Sequence, residues 1–149
     1  MNKSTKKFTK TEEEILTFLL RHPTTAFRGR VLAGKLNKAA SGVIKAARNL
    51  ERKGLITISK DFTLSIKINR ENKEIFMLKR INNIKSLYES GLVSYLSDKF
   101  PGAAIIVFGS YSYGEDTEES DIDIAIIGYS EKNIKMELMP YDKKLQRTI

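Results

Sequence analysis

Through the first third of the chain, apolar residues recur at helical spacing. Ile15, Leu16, Leu19 and Leu20 form one stripe, the pattern of a helix with one buried face. Thr11 and the acids Glu12, Glu13 and Glu14 precede it, a capping hydroxyl and first-turn carboxylates that the helix dipole favours. His22-Pro23 stops it. A second short helix is predicted over residues 28–36, with Val31, Leu32 and Leu36 inward. A third is predicted over 39–53, with Val43, Ile44, Ala47 and Leu50 inward and Gly54 as its stop. The period then changes to two: residues 55–59 and 62–68 alternate around Lys60-Asp61, as a hairpin with one buried face does. Helical spacing returns over 70–100, with Ile75, Leu78, Ile81 or Ile84, Leu87 and Tyr88 on the core side. Gly91 divides it into a connector and a second piece, 92–100, ending at Pro101-Gly102.

Residues 103–108 are a continuous apolar run, predicting a buried strand that enters Gly109-Ser110. After a stretch of turn formers and acids comes a second apolar strand, 120–127, on which Asp121 and Asp123 stand two apart. On an extended chain that spacing projects both carboxylates to one face. Paired anions there repel unless a cation lies between them. Mg²⁺ fits: it takes one or two protein carboxylates, keeps several waters and accepts substrate phosphates. The glycine permits close backbone approach to a phosphate, and the serine hydroxyl and adjoining amides donate to its oxygens. Residues 132–146 read as an amphipathic helix interrupted by Pro140.

Charge separates the two halves. The net charge is +8, but residues 1–100 carry +12 and residues 101–149 carry −4, so a polyanion-binding part precedes an acidic one. The absence of cysteine excludes disulfides, thiolate nucleophiles and zinc-finger ligation, and the single histidine, His22, reads as a helix-end residue. No run approaches the roughly 18 apolar residues of a membrane span, and the first ten residues lack a signal-peptide core. A cytoplasmic location without membrane contact is expected.

The face of the third helix left over after burial carries Ser41, Lys45, Arg48, Asn49 and Arg52, side chains that reach phosphates and base edges in a major groove. Lys60 and Lys67 add backbone contacts from the hairpin. Helix, helix, helix, hairpin over residues 9–69 resembles the winged helix-turn-helix family, with VIKAARNLERKGLI, residues 43–56, as recognition helix and first wing strand. The resemblance implies double-stranded DNA as a partner. The long connector helix also suits a homodimer surface for twofold-related half-sites.

FGSYSYGEDTEESDIDIAII, residues 108–127, resembles the signature of the polymerase-beta-like nucleotidyltransferases, especially the minimal prokaryotic domains. The resemblance covers roughly residues 90–149. It implies an α+β chain: a winged helix over 1–69, a connector helix over 70–90 and, over 91–149, a partial nucleotidyltransferase mixed sheet with flanking helices. It further implies a nucleoside triphosphate held by Gly109, Ser110 and Ser120, and a two-metal Mg²⁺ site on Asp121 and Asp123 as catalytic carboxylates. The reaction implied is transfer of a nucleoside monophosphate to a hydroxyl. Two departures stand out. Tyr113 occupies a place where many members carry arginine, and the family's third carboxylate is not found: Glu137 and Asp142 lie in the helical segment, and Glu118 and Glu119 read as solvated loop residues. Stand-alone domains of this kind often act as antitoxins that nucleotidylate a partner toxin, so a toxin-like protein acceptor is one expectation. The alternative is a transcriptional regulator whose degenerate transferase domain only senses nucleotide. A third reading makes both halves protein-interaction modules.

Overall fold

The computed structural model describes residues 8–60, 63–129 and 133–149. The chain divides into two compact units, Met1–Ile75 and Phe76–Ile149. Among the described residues no helix is long and apolar enough to cross a membrane.

The first unit runs α1 (Lys10–Arg21), β1 (Phe27–Arg28), α2 (Gly29–Lys35), α3 (Ala40–Arg52), β2 (Ile56–Lys60) and β3 (Leu64–Ile68). Ile15 and Leu19 of α1, Leu32 of α2, and Val43, Ala47 and Leu50 of α3 are all wholly excluded from solvent, so the helical periodicity marks the core. The hairpin pairs Ile56 with Ile68 and Lys60 with Leu64. The predicted turn residue Asp61 and strand residue Phe62 lie outside the described residues. The two-residue strand β1, unanticipated from the sequence, pairs antiparallel with β3 and makes the sheet order β1-β3-β2. Three helices followed by a hairpin with this extra strand are the winged-helix arrangement.

Two local expectations are corrected here. Val31 is 48% exposed, because α2 has only seven residues and turns just Leu32 and Ala33 inward. The cap of α1 is Thr9, not Thr11: the Thr9 hydroxyl accepts from the Glu12 amide while Glu12 Oε2 accepts from the Thr9 amide, a reciprocal capping box. Glu12 is buried and meets Lys53 Nζ at 2.8 Å. Burial pushes its carboxyl pKa up, but Lys53, the Thr9 amide and Asn49 outweigh this and hold it below the usual glutamate value.

The second unit takes in most of α4 (Lys73–Ser90), then α5 (Leu92–Lys99), β4 (Ala104–Phe108), α6 (Gly109–Tyr113), β5 (Asp123–Ile127) and α7 (Lys135–Leu145). The described residues supply one antiparallel pair of the expected mixed sheet, β4 with β5. Its core gathers Leu87, Leu92, Leu96, Phe100, Tyr111 and Ile122, with Ile105, Val107, Ile124 and Ile126 packed against it from the strands. β4 is therefore half-exposed rather than buried, since Ile106 and Phe108 on its other face are 47% and 49% exposed. The face of α4 is also corrected. Ile81, Ile84 and Tyr88 lie outward, while Lys79, Asn82, Asn83, Leu87 and Ser90 are buried. Ile75 and Leu87 are buried as predicted, but Lys79 and Asn83 share that face because they have partners there. The predicted helix start Lys132 lies outside the described residues, and Pro140 sits within α7 without ending it.

Candidate functional site

β4 and β5 pair so that Phe108 stands opposite Asp123. The next residue, Gly109, has φ +69°, and a Cβ added there would lie 3.2 Å from Asp123 Cγ and collide with Oδ2. The left-handed backbone therefore favours glycine, and an added Cβ would also push the Asp123 carboxylate aside. The predicted Gly-Ser turn and the second carboxylate are in van der Waals contact. α6 opens at this glycine. Its turn is tied by Ser112 Oγ donating to the Gly109 carbonyl at 2.9 Å and by the Glu115 amide donating to the Ser110 carbonyl at 3.0 Å. Gly114, also left-handed, ends the helix where a side chain would collide with the Phe76 carbonyl oxygen of α4.

From Gly114 the chain returns to β5 through a loop with two anchors. One is local: Ser120 Oγ accepts from the Thr117 amide at 2.9 Å. The other is buried: Asp116 is 1% exposed, its Oδ2 lies 2.9 Å from Lys79 Nζ, and its Oδ1 accepts from Asn83 Nδ2 at 2.7 Å. Burial pushes the Lys79 ammonium below the usual lysine pKa, with Asp116 opposing. Ile122, 2% exposed, donates its amide to the Thr148 carbonyl at 2.8 Å and plugs the core, leaving Asp121 and Asp123 exposed on either side of it. Exposed–buried–exposed is the alternation expected of two carboxylates sharing one side.

Asp121 also borders a cleft of about 370 Å³ lined by Glu118, Glu119, Ser120, Asp142, Lys143 and the segment 146–148. Asp142 faces this cleft, with Oδ1 accepting from the Ile149 amide at 3.1 Å. Glu137 is engaged elsewhere, accepting from Tyr95 Oη at 2.6 Å and Lys99 Nζ at 2.7 Å. Burial and this carboxylate push the Tyr95 phenol up to about 12. Among the described residues no three His, Cys, Asp or Glu side chains gather as a metal cage. Two solvent-facing carboxylates beside a turn held against one of them fit a hard cation that keeps waters and shares its remaining positions with phosphate oxygens.

The site residues absent from the sequence reading are Lys79, Asn83 and Asp116. The first two are one turn apart on α4 and interrupt its apolar stripe, which was the available signal. Asp116 had none, standing in a loop with Glu115, Glu118 and Glu119.

On the first unit, Ser41, Lys45, Arg48 and Arg52 are exposed along α3, and Lys60 and Lys67 are exposed on the hairpin. Arg48, Arg52 and Lys60 line one groove of about 430 Å³ with Glu51, Ile58 and Leu64. Asn49 is half-buried: it bonds Glu12 and accepts from the Arg52 guanidinium.

A family model described as a nucleotidyltransferase domain matches residues 89–148. Two proteins of Methanocaldococcus jannaschii, each named "putative protein adenylyltransferase", are similar. One is 37% identical over 73 residues, which are 46% of this chain and 71% of that protein. The other is 48% identical over 50 residues, 32% of this chain and 48% of that protein. Among solved structures, MepR, a transcription regulator of the Staphylococcus aureus multidrug efflux pump MepA, aligns at 26% identity and TM-score 0.48, covering 62% of this chain and 69% of MepR.

Contact between Gly109 and Asp123 predicts a coupled pair of substitutions. Gly109→Ala is expected to destabilise the chain by roughly 1–3 kcal/mol through left-handed strain and overlap. In an Asp123→Ala background the overlap is gone, so the same substitution costs less, with a coupling of about 0.5–2 kcal/mol by chemical denaturation. Strictly additive effects would contradict the contact.

Proposed function

Because the chain belongs to the nucleotidyltransferase-domain family, we propose that its second unit transfers a nucleoside monophosphate from a nucleoside triphosphate to a hydroxyl of a protein acceptor. The observation that supports this reading is the seating of Asp123 against Gly109, which brings the Gly-Ser turn to one carboxylate of the Asp-x-Asp pair. In this reading the backbone around Gly109-Ser110 and the Ser110 and Ser120 hydroxyls bind the triphosphate. Asp121 and Asp123 would hold Mg²⁺, which would supply charge neutralisation at the phosphates. The acceptor oxygen attacks the α-phosphorus, the bond to the bridging oxygen of pyrophosphate breaks, and a proton is released. Catalysis here is mainly positioning and charge stabilisation, which is why small turns and carboxylates suffice to build the site. The names of the two archaeal relatives support ATP as donor and protein as acceptor class.

The first unit is proposed to place this activity on double-stranded DNA. Lys45, Arg48 and Arg52 share one exposed stripe of α3, and Lys60 joins the two arginines in a groove, an arrangement that suits phosphate contacts across a major groove.

Two measurements test these assignments. With ATP labelled at the α-phosphate, Mg²⁺ and a lysate of the native host, adding the chain is expected to put label on protein beyond that of the lysate alone, and Asp121→Ala/Asp123→Ala should lower that added incorporation by at least about a hundredfold. Equal labelling by wild type and double variant would refute the site. For DNA, affinity is expected to fall with salt with a log–log slope of about −3.6 for four phosphate contacts, and Arg48→Ala/Arg52→Ala should reduce that slope by about 2. No duplex binding at low salt would refute the interface.

A further inference from the structure

The loop between the Gly-Ser turn and the carboxylate strand is acidic and short, and a solvated loop would suffice to connect them. Instead it sinks one carboxylate into the core. Asp116 is 1% exposed and Lys79 2%, and Arg147 Nη2 lies 4.0 Å from the same Asp116 oxygen. Removing such charges from water is costly, and replacing a buried ion pair by apolar side chains is often neutral or stabilising. Stability alone therefore does not account for the pair. Direction is what apolar side chains cannot supply.

Asn83 shows where that direction leads. Its side-chain nitrogen donates to the Tyr111 carbonyl at 2.8 Å and to Asp116 Oδ1 at 2.7 Å, while the Tyr111 hydroxyl donates back to the Asn83 carbonyl at 3.3 Å. Tyr111 lies two residues after Gly109, and Asp116 lies five residues before Asp121. One amide on a rigid helix thus ties the phosphate turn to the loop that delivers the carboxylates.

We propose that Asp116, clamped between Lys79 and Asn83, is a positioning residue that sets Asp121 and Asp123 against the Gly109-Ser110 turn. This rests on the reading of that turn and those carboxylates as the metal–triphosphate site. Asp116 acts through the loop and touches neither metal nor nucleotide. Groups that orient metal ligands from behind commonly change metal affinity by 10–100-fold when removed.

The test measures, by calorimetry, the Mg²⁺ concentration that gives half-maximal ATP binding, alongside the melting temperature. Lys79→Met/Asp116→Leu removes charge and direction together. It leaves the buried Arg147 guanidinium without its counter-charge, so it is expected to melt below wild type and to need about tenfold more Mg²⁺. Lys79→Met/Asp116→Asn removes the charges yet keeps an oxygen for Asn83, and should return the Mg²⁺ requirement to within about threefold of wild type. Asn83→Ala cuts both links while leaving the ion pair in place. It should raise the requirement by a similar factor, so the test stands even where the leucine variant does not fold. A wild-type requirement in both Asn83→Ala and the leucine variant, or equal impairment of the leucine and asparagine variants, overturns the positioning role while leaving the site intact. If wild-type ATP binding is indifferent to Mg²⁺ and to Asp121→Ala/Asp123→Ala, the underlying site falls, and the positioning role falls with it by that separate signature.

Discussion

Everything proposed for the second unit depends on one steric constraint, the contact between a carboxylate and a glycine across two antiparallel strands. Register sets Phe108 against Asp123, so the backbone leaving β4 passes directly beneath the Asp123 side chain. A Cβ at Gly109 would sit on a strained left-handed backbone and displace the Asp123 carboxylate. The turn and the acid are thus locked together by pairing geometry before any ligand is considered. In the proposed reading, a phosphate bound at the turn would lie close to a cation held by the acid, the kind of positioning that phosphoryl chemistry exploits.

Behind that contact lies a helix of mixed character. α4 keeps Met77, Ile81, Ile84 and Tyr88 exposed and buries Lys79, Asn82 and Asn83 beside Ile75 and Leu87. Burying Lys79 and Asn83 is tolerable because Lys79 is ion-paired with Asp116 and Asn83 donates to Asp116 and to the Tyr111 carbonyl. Directional polar contacts specify a single arrangement, whereas an apolar face tolerates many. The same arrangement explains why a loop with so many acids is ordered where it passes the core.

Features encoded by local period were legible in the sequence. The stripes of α1 and α3, the alternation of the hairpin and the pair of apolar strands follow from spacings within each segment. Features that depend on a distant partner were not. Thr9 and Thr11 each stand three residues before a glutamate, and both glutamates meet a distant lysine, so what separates them is that Glu12 is buried and Glu14 is not. β1 is two residues long and exists by pairing with β3. An unbroken apolar run cannot reveal that β4 has an open face, and the five residues of α6 are too few to show a period. Within the site, Gly109, Ser110, Asp121 and Asp123 could be picked out because their combination is unusual. Asp116 could not, since burial alone separates it from its acidic neighbours.

The central claim is that the Gly109-Ser110 turn and the two exposed aspartates form one triphosphate site. Titration of ATP into the chain by calorimetry, with and without Mg²⁺, for wild type and for Asp121→Ala/Asp123→Ala, tests it most directly. Metal-dependent binding is expected in wild type, and its loss in the double variant without loss of fold. ATP binding of equal strength in both proteins, or none in wild type, would contradict it.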